Sequence, residues 1–220
     1  VIMAGTGAVL TYGELDDRSA RLASALHGLG LRRGDVIAML TDNTAEAFVI
    51  YWAALRSGLY VTAINRHLAA PEVAYILADS GAGVLFASAG LSQLAQDIAG
   101  PVHRYAFDVQ IPGYDSYPDL LAGAGSRLAD QPRGSDMLYS SGTTGRPKGI
   151  KKDFEGNPID EPNAFLKILC ADMCGMSSDS IYLSPAPLYH AAPLRFNMMA
   201  TTLGGTSVIM QFDQAPSVDA

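Results

Sequence analysis

The chain has 220 residues, which is enough for one sizeable domain or two small ones. With 49% hydrophobic and 17% charged residues and a mean hydropathy of +0.15, it can bury a substantial core, which excludes an intrinsically disordered protein. Its net charge of −7 argues against a general nucleic-acid-binding protein, because such a protein needs a cationic face to neutralise phosphates. Any binding of phosphate must therefore be local.

The sequence carries no signal for export or for membrane insertion. Its longest strongly apolar run, Phe48 to Leu55, is far shorter than the roughly 20 residues of a membrane-spanning helix, and the N-terminus does not resemble a signal peptide. The two cysteines, Cys170 and Cys174, are too few for a disulfide framework and lack companion zinc ligands. We interpret them as core thiols in a reducing compartment and expect a cytoplasmic protein.

Helical and strand-like patterns alternate over the first hundred residues. Thr11 and Glu14 form a capping-box pattern that predicts the start of the first helix. Strand-like runs follow at residues 36–40, 60–64 and 84–86, and helices are predicted between them at 45–57 and 71–81. Because the strands begin about 24 residues apart and alternate with helices, we expect an α/β fold of mainly parallel sheet layers with flanking helices.

The second half begins with a break in the periodic patterns. Proline and glycine recur between residues 109 and 135, which predicts a connecting segment with one short helix at Leu120 and Leu121. We therefore divide the chain into an N-terminal α/β subdomain at 1–108, the connecting segment at 109–135 and a further α/β segment at 136–220. In this last segment the pattern predicts strands at 137–140, 181–183 and 206–210 and helices at 164–174 and 192–203.

A polar, glycine-rich stretch, YSSGTTGRPKG, occupies residues 139–149. Its four small hydroxyl side chains, three glycines, proline and two cations cannot form a regular helix or strand, so it must be a loop. Glycine lets backbone N–H groups approach an anion, while the hydroxyls, Arg146 and Lys148 add donors and charge. Composition alone leaves a polyphosphate site and a flexible surface turn open. All four lysines lie in or after this stretch, which favours the anion site, and the missing Walker fingerprint disfavours an ordinary NTPase.

This stretch closely resembles the phosphate-binding signature of the adenylate-forming superfamily, which includes acyl-CoA synthetases, firefly luciferase and adenylation domains of nonribosomal peptide synthetases. Further similarities are spread over most of the chain: LTYGEL at 10–15, GDVIA at 34–38, DN at 42–43, YWAAL at 51–55 and IN at 64–65. PAPLYH at 185–190 is similar to a second signature, in which an aromatic residue and a histidine stand beside the acyl site. By this resemblance the chain is identified as a member of the superfamily, closest to acyl-CoA synthetases and fatty-acid–CoA ligases.

The resemblance implies an enzyme that activates a carboxylic acid, with a fatty acid favoured, by means of ATP. The acyl-adenylate would then react with coenzyme A to give a thioester, and Mg²⁺ would accompany the ATP. The residues implied in binding ATP are Ser140, Ser141, Gly142, Thr143, Thr144, Gly145, Arg146, Pro147 and Lys148. Since the reaction brings two anions together, positioning and charge neutralisation should carry most of the catalysis.

Further roles follow from the resemblance for individual residues. Lys148 and His190 are the candidate catalytic residues, Tyr189 and His190 would bind the acid, and Ser140 would supply a hydroxyl ligand to Mg²⁺. For His190, capping or packing alone stays an alternative. Amino-acid-activating members carry an aspartate after the aromatic residue, so His190 at this position favours a plain carboxylic acid.

The sequence departs from the family's pattern in two places. The later signatures are absent and the chain opens without a methionine, so we expect an N-terminal fragment that needs the missing C-terminal portion of its chain and is inactive alone. Residues 151–162 replace a direct entry into a helix, and we expect a solvated surface excursion there, with a lid or partner site as the alternative. An adenylation domain that loads a carrier protein and a non-catalytic interaction module remain alternative functions.

Overall fold

The computed structural model describes residues 1–100, 103–140, 146–154 and 156–211. Strands in this part of the chain are β1 Ile2–Met3, β2 Val36–Leu40, β3 Tyr60–Ala63, β4 Ala82–Ser88, β5 His103–Phe107, β6 Asp115–Ser116, β7 Ser135–Tyr139, β8 Gly149–Lys151, β9 Ile181–Ser184 and β10 Thr206–Ile209. The α-helices are α1 Tyr12–Gly28, α2 Ala45–Arg56, α3 Ala70–Ser80, α4 Ser92–Gln96, α5 Tyr117–Ala122, α6 Ala164–Lys167 and α7 Ala191–Thr202. A π-helical stretch, Ile168–Met173, continues α6, so the helix predicted over 164–174 changes its hydrogen-bonding pattern after one turn.

The larger sheet contains seven of these strands in the order β6-β5-β4-β2-β3-β7-β8. Neighbouring strands are parallel from β6 to β7, and only β8 runs antiparallel to its neighbour β7. The predicted α/β class with a mainly parallel sheet and flanking helices is thus confirmed. The regular spacing of strands did not reveal their order: β2 lies between β3 and β4, so the chain crosses over instead of adding strands in sequence.

Two apolar cores cover the two faces of the larger sheet. In β2 all five residues are buried, with Ile37 and Met39 in one core and Val36, Ala38 and Leu40 in the other, because successive side chains of a strand point to opposite faces. The first core contains side chains of α1, α2 and α7, and the second contains those of α3. Burial on both faces is typical of parallel sheets and explains the nearly continuous apolar runs in the sequence.

The smaller sheet has three parallel strands in the order β1-β10-β9. Ile209 of β10 and Leu194 of α7 lie in the first core of the larger sheet, so the two sheets share apolar packing. In the described part of the chain, no helix is both long and apolar enough to cross a bilayer.

Local signals in the sequence placed several elements correctly. The capping box of α1 is present, since the Glu14 amide donates to the Thr11 hydroxyl at 3.2 Å and the Thr11 amide donates to Glu14 Oε2 at 2.8 Å. The short helix predicted around residues 120–121 is α5. The domain boundaries at residues 108 and 136 stay a prediction, although β7 pairs with β3 across them.

The segment after the glycine-rich loop is more firmly attached than the solvated excursion that we expected. The Phe154 ring stacks on Tyr60 of β3 with centroids 4.4 Å apart, and the Ile159 amide donates to the Gln131 carbonyl at 3.1 Å. Both Phe154 and Ile159 also pack against the apolar cores. Because the segment is mostly polar, its sequence did not indicate that these two side chains attach it to the rest of the fold.

Candidate functional site

The glycine-rich loop stands at the carboxyl end of β7. Because β8 returns antiparallel beside β7, we call these two strands the stems of the loop, with Ser140 added to the first stem and residues 146–148 added to the second. At the base of the loop, the Ser140 amide donates to the Lys148 carbonyl at 3.1 Å. Ser140, Arg146 and Lys148 are exposed and Pro147 is half-buried. Five of the predicted ATP-binding residues lie outside the described residues: Ser141, Gly142, Thr143, Thr144 and Gly145.

Two side chains of α3 contact both stems of this loop. On the first stem, the Tyr139 hydroxyl donates to Asp79 Oδ2 at 2.6 Å. On the second stem, the Tyr75 hydroxyl lies 3.3 Å from the Pro147 carbonyl oxygen, and the Arg146 guanidinium lies 5.1 Å from the centre of the Tyr75 ring. Burial raises the pKa of Tyr139 and the bond to Asp79 raises it further, so the hydroxyl stays protonated and can donate at neutral pH.

Gly149 leaves the space that the Tyr139 ring occupies. A Cβ at position 149 would lie 2.6 Å from Met137 Cε and 2.9 Å from Tyr139 Cζ, which are closer than carbon atoms can approach. The Met137 end group is flexible, but the Tyr139 hydroxyl is held by Asp79, so the ring cannot easily move away. This glycine therefore serves close packing in the stem.

The second predicted signature lies between β9 and α7. His190 is the N-cap residue of α7, and its exposed ring lies 4.4 Å, centroid to centroid, from the half-buried ring of Tyr189. Within the described residues, the His190 side chain makes no capping hydrogen bond to α7. The Tyr189 ring is also edge-on to His67, with centroids 6.2 Å apart.

His67 locates this signature relative to the loop. It follows β3, which lies between β2 and β7 in the larger sheet. The carboxyl ends of parallel strands meet at one edge of a sheet, so Tyr189 lies at the same edge as the end of β7, where the glycine-rich loop starts. The structure thus brings to one edge two motifs that are separated by about 40 residues of sequence.

Asn43 fixes the second signature to the larger sheet. This side chain follows β2 and is only 5% exposed. Its Nδ2 donates to the Ala186 carbonyl at 3.1 Å and to the Met210 carbonyl at 2.9 Å, and its Oδ1 accepts from the Leu188 amide at 2.9 Å. One amide group therefore joins loops of both sheets. Asn43 formed part of a sequence similarity, but no local pattern indicated this role.

Neighbouring loops at the same edge are joined by a carboxylate. Asp42 accepts from the Arg66 guanidinium at 2.7 Å and from the Ser88 hydroxyl at 3.0 Å, so it links the ends of β2 and β4 to the segment after β3. A Cβ at Gly90 would lie 2.2 Å from Asp42 Oδ2, so only glycine leaves room for this carboxylate. Such a fully bonded network favours a rigid edge.

An ion pair links the two elements that carry the motifs. Asp136, at the start of β7, accepts from both Nε and Nη2 of Arg195 on α7, at 2.8 and 2.5 Å. The Asp136 side chain is 6% exposed, and the bond to this carboxylate raises the pKa of Arg195. A bidentate pair of this kind fixes orientation as well as distance. The strand leading to the loop and the helix beginning at His190 are therefore held in one geometry.

Comparison with known proteins assigns the chain to a family, since the model of the AMP-binding enzyme family matches residues 1–220. The chain belongs to the AMP-binding enzymes. The adenylate-forming superfamily inferred from the loop sequence is thereby confirmed.

Curated relatives of this AMP-binding chain are CoA ligases. It is 33% identical over 205 residues to a feruloyl-CoA synthase of Amycolatopsis and 31% identical over 216 residues to the long-chain-fatty-acid–CoA ligase FadD13 of Mycobacterium tuberculosis. These alignments cover 93% of this chain but 39% and 40% of the relatives, so the chain spans about two fifths of their length. The inhibitor-bound N-terminal domain of FACL13 from the same species matches with a TM-score of 0.73 and 27% identity, over 96% of this chain and 53% of that domain.

The Mg²⁺ that the family implies is not accounted for by the described residues. Ser140 offers one neutral hydroxyl, and the described ranges contain no group of three or more histidine, cysteine, aspartate or glutamate side chains that could hold a metal ion. Mg²⁺ prefers several oxygen ligands in octahedral geometry, so these residues alone do not fit the ion. The role of Ser140 as a ligand stays a prediction.

Proposed function

We propose that this AMP-binding chain carries the triphosphate-binding and acid-binding edge of an AMP-forming acid–CoA ligase. The whole enzyme would activate a carboxylic acid with ATP to an acyl-adenylate and then transfer the acyl group to coenzyme A. We favour a plain carboxylic acid over an amino acid, because His190 stands where amino-acid-activating members carry an aspartate, and among such acids we favour a fatty acid by resemblance alone. The curated relatives, named as a feruloyl-CoA synthase and a long-chain-fatty-acid–CoA ligase, support coenzyme A as the acceptor over a carrier protein.

The observation that carries this proposal is the edge-on contact of 6.2 Å between His67 and Tyr189. This contact supports the proposal because Tyr189, which we predict to bind the acid, lies at the carboxyl edge of the sheet where β7 leads into the loop. An acid bound near Tyr189 and a triphosphate bound at the loop would therefore approach each other from neighbouring positions. Holding two reactants in such proximity can lower the activation barrier substantially, because the entropy of bringing them together is already lost on binding.

Charges at the loop fit this role. Arg146 and Lys148 are exposed at the second stem, in a chain whose net charge is −7. They would attract and neutralise the phosphates, together with the hydroxyl and amide donors predicted at residues 140–145. His190, exposed at the start of α7 beside Tyr189, would contact the acid. We assign catalytic roles to Lys148 and His190 on this basis.

We also propose that the 220-residue chain forms no acyl-CoA by itself, since it spans only about two fifths of the length of its relatives. The requirement for ATP and coenzyme A supports a cytoplasmic location of the whole enzyme. For the organisation of the chain, we retain the predicted division at residues 108 and 136.

The test is calorimetric titration of the chain with ATP and Mg²⁺, using Lys148→Ala and the matched control Lys167→Ala. Lys167 ends α6, is exposed and lies outside the predicted site. Removing a cation that binds the triphosphate should raise Kd about tenfold, equivalent to about 1.4 kcal/mol, while the control should match the wild type. Equal Kd values for the two variants would show that Lys148 does not contribute to triphosphate binding.

A pyrophosphate-release assay with a panel of carboxylic acids tests the rest of the proposal. We expect no product from the chain alone. Product formation would show that the inactivity that we propose is wrong.

A further inference from the structure

We propose that Tyr75 and Asp79 of α3 are positioning residues for the glycine-rich loop, holding its two stems at the separation and orientation that the triphosphate of ATP requires. This inference rests on the proposed function and adds two residues that lie outside both sequence signatures. Neither residue belongs to the loop, and they reach it across about 60 to 70 positions of sequence.

Asp79 holds the first stem. Its Oδ2 accepts from the Tyr139 hydroxyl at 2.6 Å, a short hydrogen bond in which the acceptor carries charge. Tyr139 is the last residue of β7, directly before Ser140. Its ring lies close to Gly149, where a Cβ would lie 2.9 Å from Cζ. The direction in which the chain enters the loop is therefore fixed by a side chain on α3.

Tyr75 holds the second stem through two different contacts. Its hydroxyl lies 3.3 Å from the Pro147 carbonyl oxygen, and its ring faces the Arg146 guanidinium at 5.1 Å. A cation over an aromatic face is attracted electrostatically by the ring, and arginine makes this contact more often than lysine. The ring thus keeps the Arg146 charge next to α3, on the second stem of the loop.

The two contacts form one unit because Tyr75 and Asp79 are four residues apart, one turn along the same helix face. The Tyr75 hydroxyl is also 3.4 Å from Asp79 Oδ1, so it can donate its single proton either to this carboxylate or to the Pro147 carbonyl. Helix α3 is itself immobilised by Val73, Ile76 and Leu77, which are buried in the second core. The stems are therefore tied to α3 by side chains, in addition to the backbone pairing of β7 with β3 and β8.

Attachment of the stems to α3 should reduce the conformational entropy that is lost when a triphosphate binds. A binding site whose two stems are already held in place loses less conformational freedom on binding, and the gain appears as affinity. Removing this attachment should weaken triphosphate binding without removing any group that touches the phosphates. A purely structural role would instead lower the stability of the fold and leave affinity unchanged in the protein that remains folded.

The experiment measures Kd for inorganic tripolyphosphate and for ATP with Mg²⁺ by calorimetry, and the free energy of unfolding in urea, on the whole chain. The variants are Tyr75→Phe, which keeps the ring under Arg146, Tyr75→Leu, which removes it, Asp79→Ala, and Asp79→Asn, which keeps an acceptor oxygen. The matched control is Tyr114→Phe, because the Tyr114 hydroxyl donates to the Ala95 carbonyl at 3.0 Å in a buried site away from the loop.

We expect Asp79→Ala and Tyr75→Leu to raise Kd for both probes about fivefold to tenfold, with Tyr75→Phe and Asp79→Asn between these and the wild type. Tyr114→Phe should lower the free energy of unfolding and leave Kd at the wild-type value. The double variant of Asp79→Ala with Tyr139→Phe should bind no more weakly than either single variant, because both remove the same hydrogen bond.

Two results overturn the inference in different ways. If the wild type binds and Lys148→Ala weakens binding, but the α3 variants keep the wild-type Kd like Tyr114→Phe, the positioning role is wrong and the proposed function stands. If the wild type binds neither probe, the proposed function fails and the inference fails with it.

Discussion

Replacing Asn43 by alanine should strongly destabilise the fold, because this side chain joins the larger sheet to the loops that follow β9 and β10. The amide makes three hydrogen bonds, to the carbonyls of Ala186 and Met210 and from the amide of Leu188. All three partners are backbone groups more than 140 positions away in the sequence. Alanine can replace none of these bonds.

The magnitude follows from these contacts. A net contribution of about 1 kcal/mol for each of the three hydrogen bonds predicts a loss of about 3 kcal/mol in the free energy of unfolding. The buried Leu188 amide is left without a partner, which adds to the loss, whereas water can reach the exposed Met210. With a urea m-value of about 2 kcal/mol per M, the unfolding midpoint should fall by about 1.5 M.

The assay is urea unfolding followed by circular dichroism, with Asn65→Ala as the matched control. Asn65 Oδ1 accepts one hydrogen bond, from the His67 amide at 2.9 Å in an exposed turn, so its loss should cost less than about 1 kcal/mol. Asn43→Asp keeps an acceptor for the Leu188 amide but sets a carboxylate against two carbonyls, so at neutral pH it should be at least as destabilising as alanine.

Equal midpoints for Asn43→Ala and Asn65→Ala would refute this reasoning. So would a changed m-value at an unchanged midpoint, because it would place the effect in the unfolded state. The result matters for the site because the Leu188 amide directly precedes Tyr189, so the same hydrogen bond that joins the sheets also orients the predicted acid-binding residues.

Two further predictions concern packing and pH. A Cβ at Gly134 would lie 2.2 Å from the Leu59 carbonyl oxygen, a backbone atom that cannot move aside. Gly134→Ala should therefore lower the free energy of unfolding by about 3 kcal/mol or more. A melting temperature equal to that of the wild type would contradict this prediction. Hydrogen bonds from Arg127 and then Arg56 lower the pKa of Asp16 to about 2, so its stabilisation is present above its ordinary pKa near 4 and is lost as pH falls towards 2. Because Asp16 is half exposed, the wild type and Asp16→Asn should differ in unfolding free energy by less than about 1 kcal/mol at pH 5. This difference should disappear near pH 2. A difference that does not change with pH would refute the prediction.

The two functional motifs were readable from the sequence because each is a short continuous stretch. The stretch at 139–149 combines residue types that are unfavourable in a regular element. Its first stem is the strand that the pattern predicted at 137–140, whereas no strand was predicted for its second stem. The roles of Ser140, Lys148, Tyr189 and His190 came only from resemblance, and they stay proposals. What periodicity could not show was that these motifs share one edge of the sheet.

Residues that support the site gave no comparable signal. Tyr75 and Asp79 lie on the half-buried and exposed side of an amphipathic helix, where polar side chains are expected whether or not they contact anything. Asn43 follows a strand as an ordinary loop residue would, and its hydrogen bonds are made to loops that come more than 140 positions later. The antiparallel β8 has no strand signal of its own in the sequence, because three residues of pairing leave little pattern.

The sequence by itself determined the local elements and the family, because helix caps, apolar periodicity and a glycine-rich signature act over a few neighbouring residues. Only the tertiary structure decided the strand order β4-β2-β3-β7, the meeting of two distant motifs beside β3, and the attachment of the loop to α3. Strand order depends on how both faces of the sheet are covered at once, and a hydrogen bond such as that of Tyr139 to Asp79 exists only after the chain has folded back upon itself.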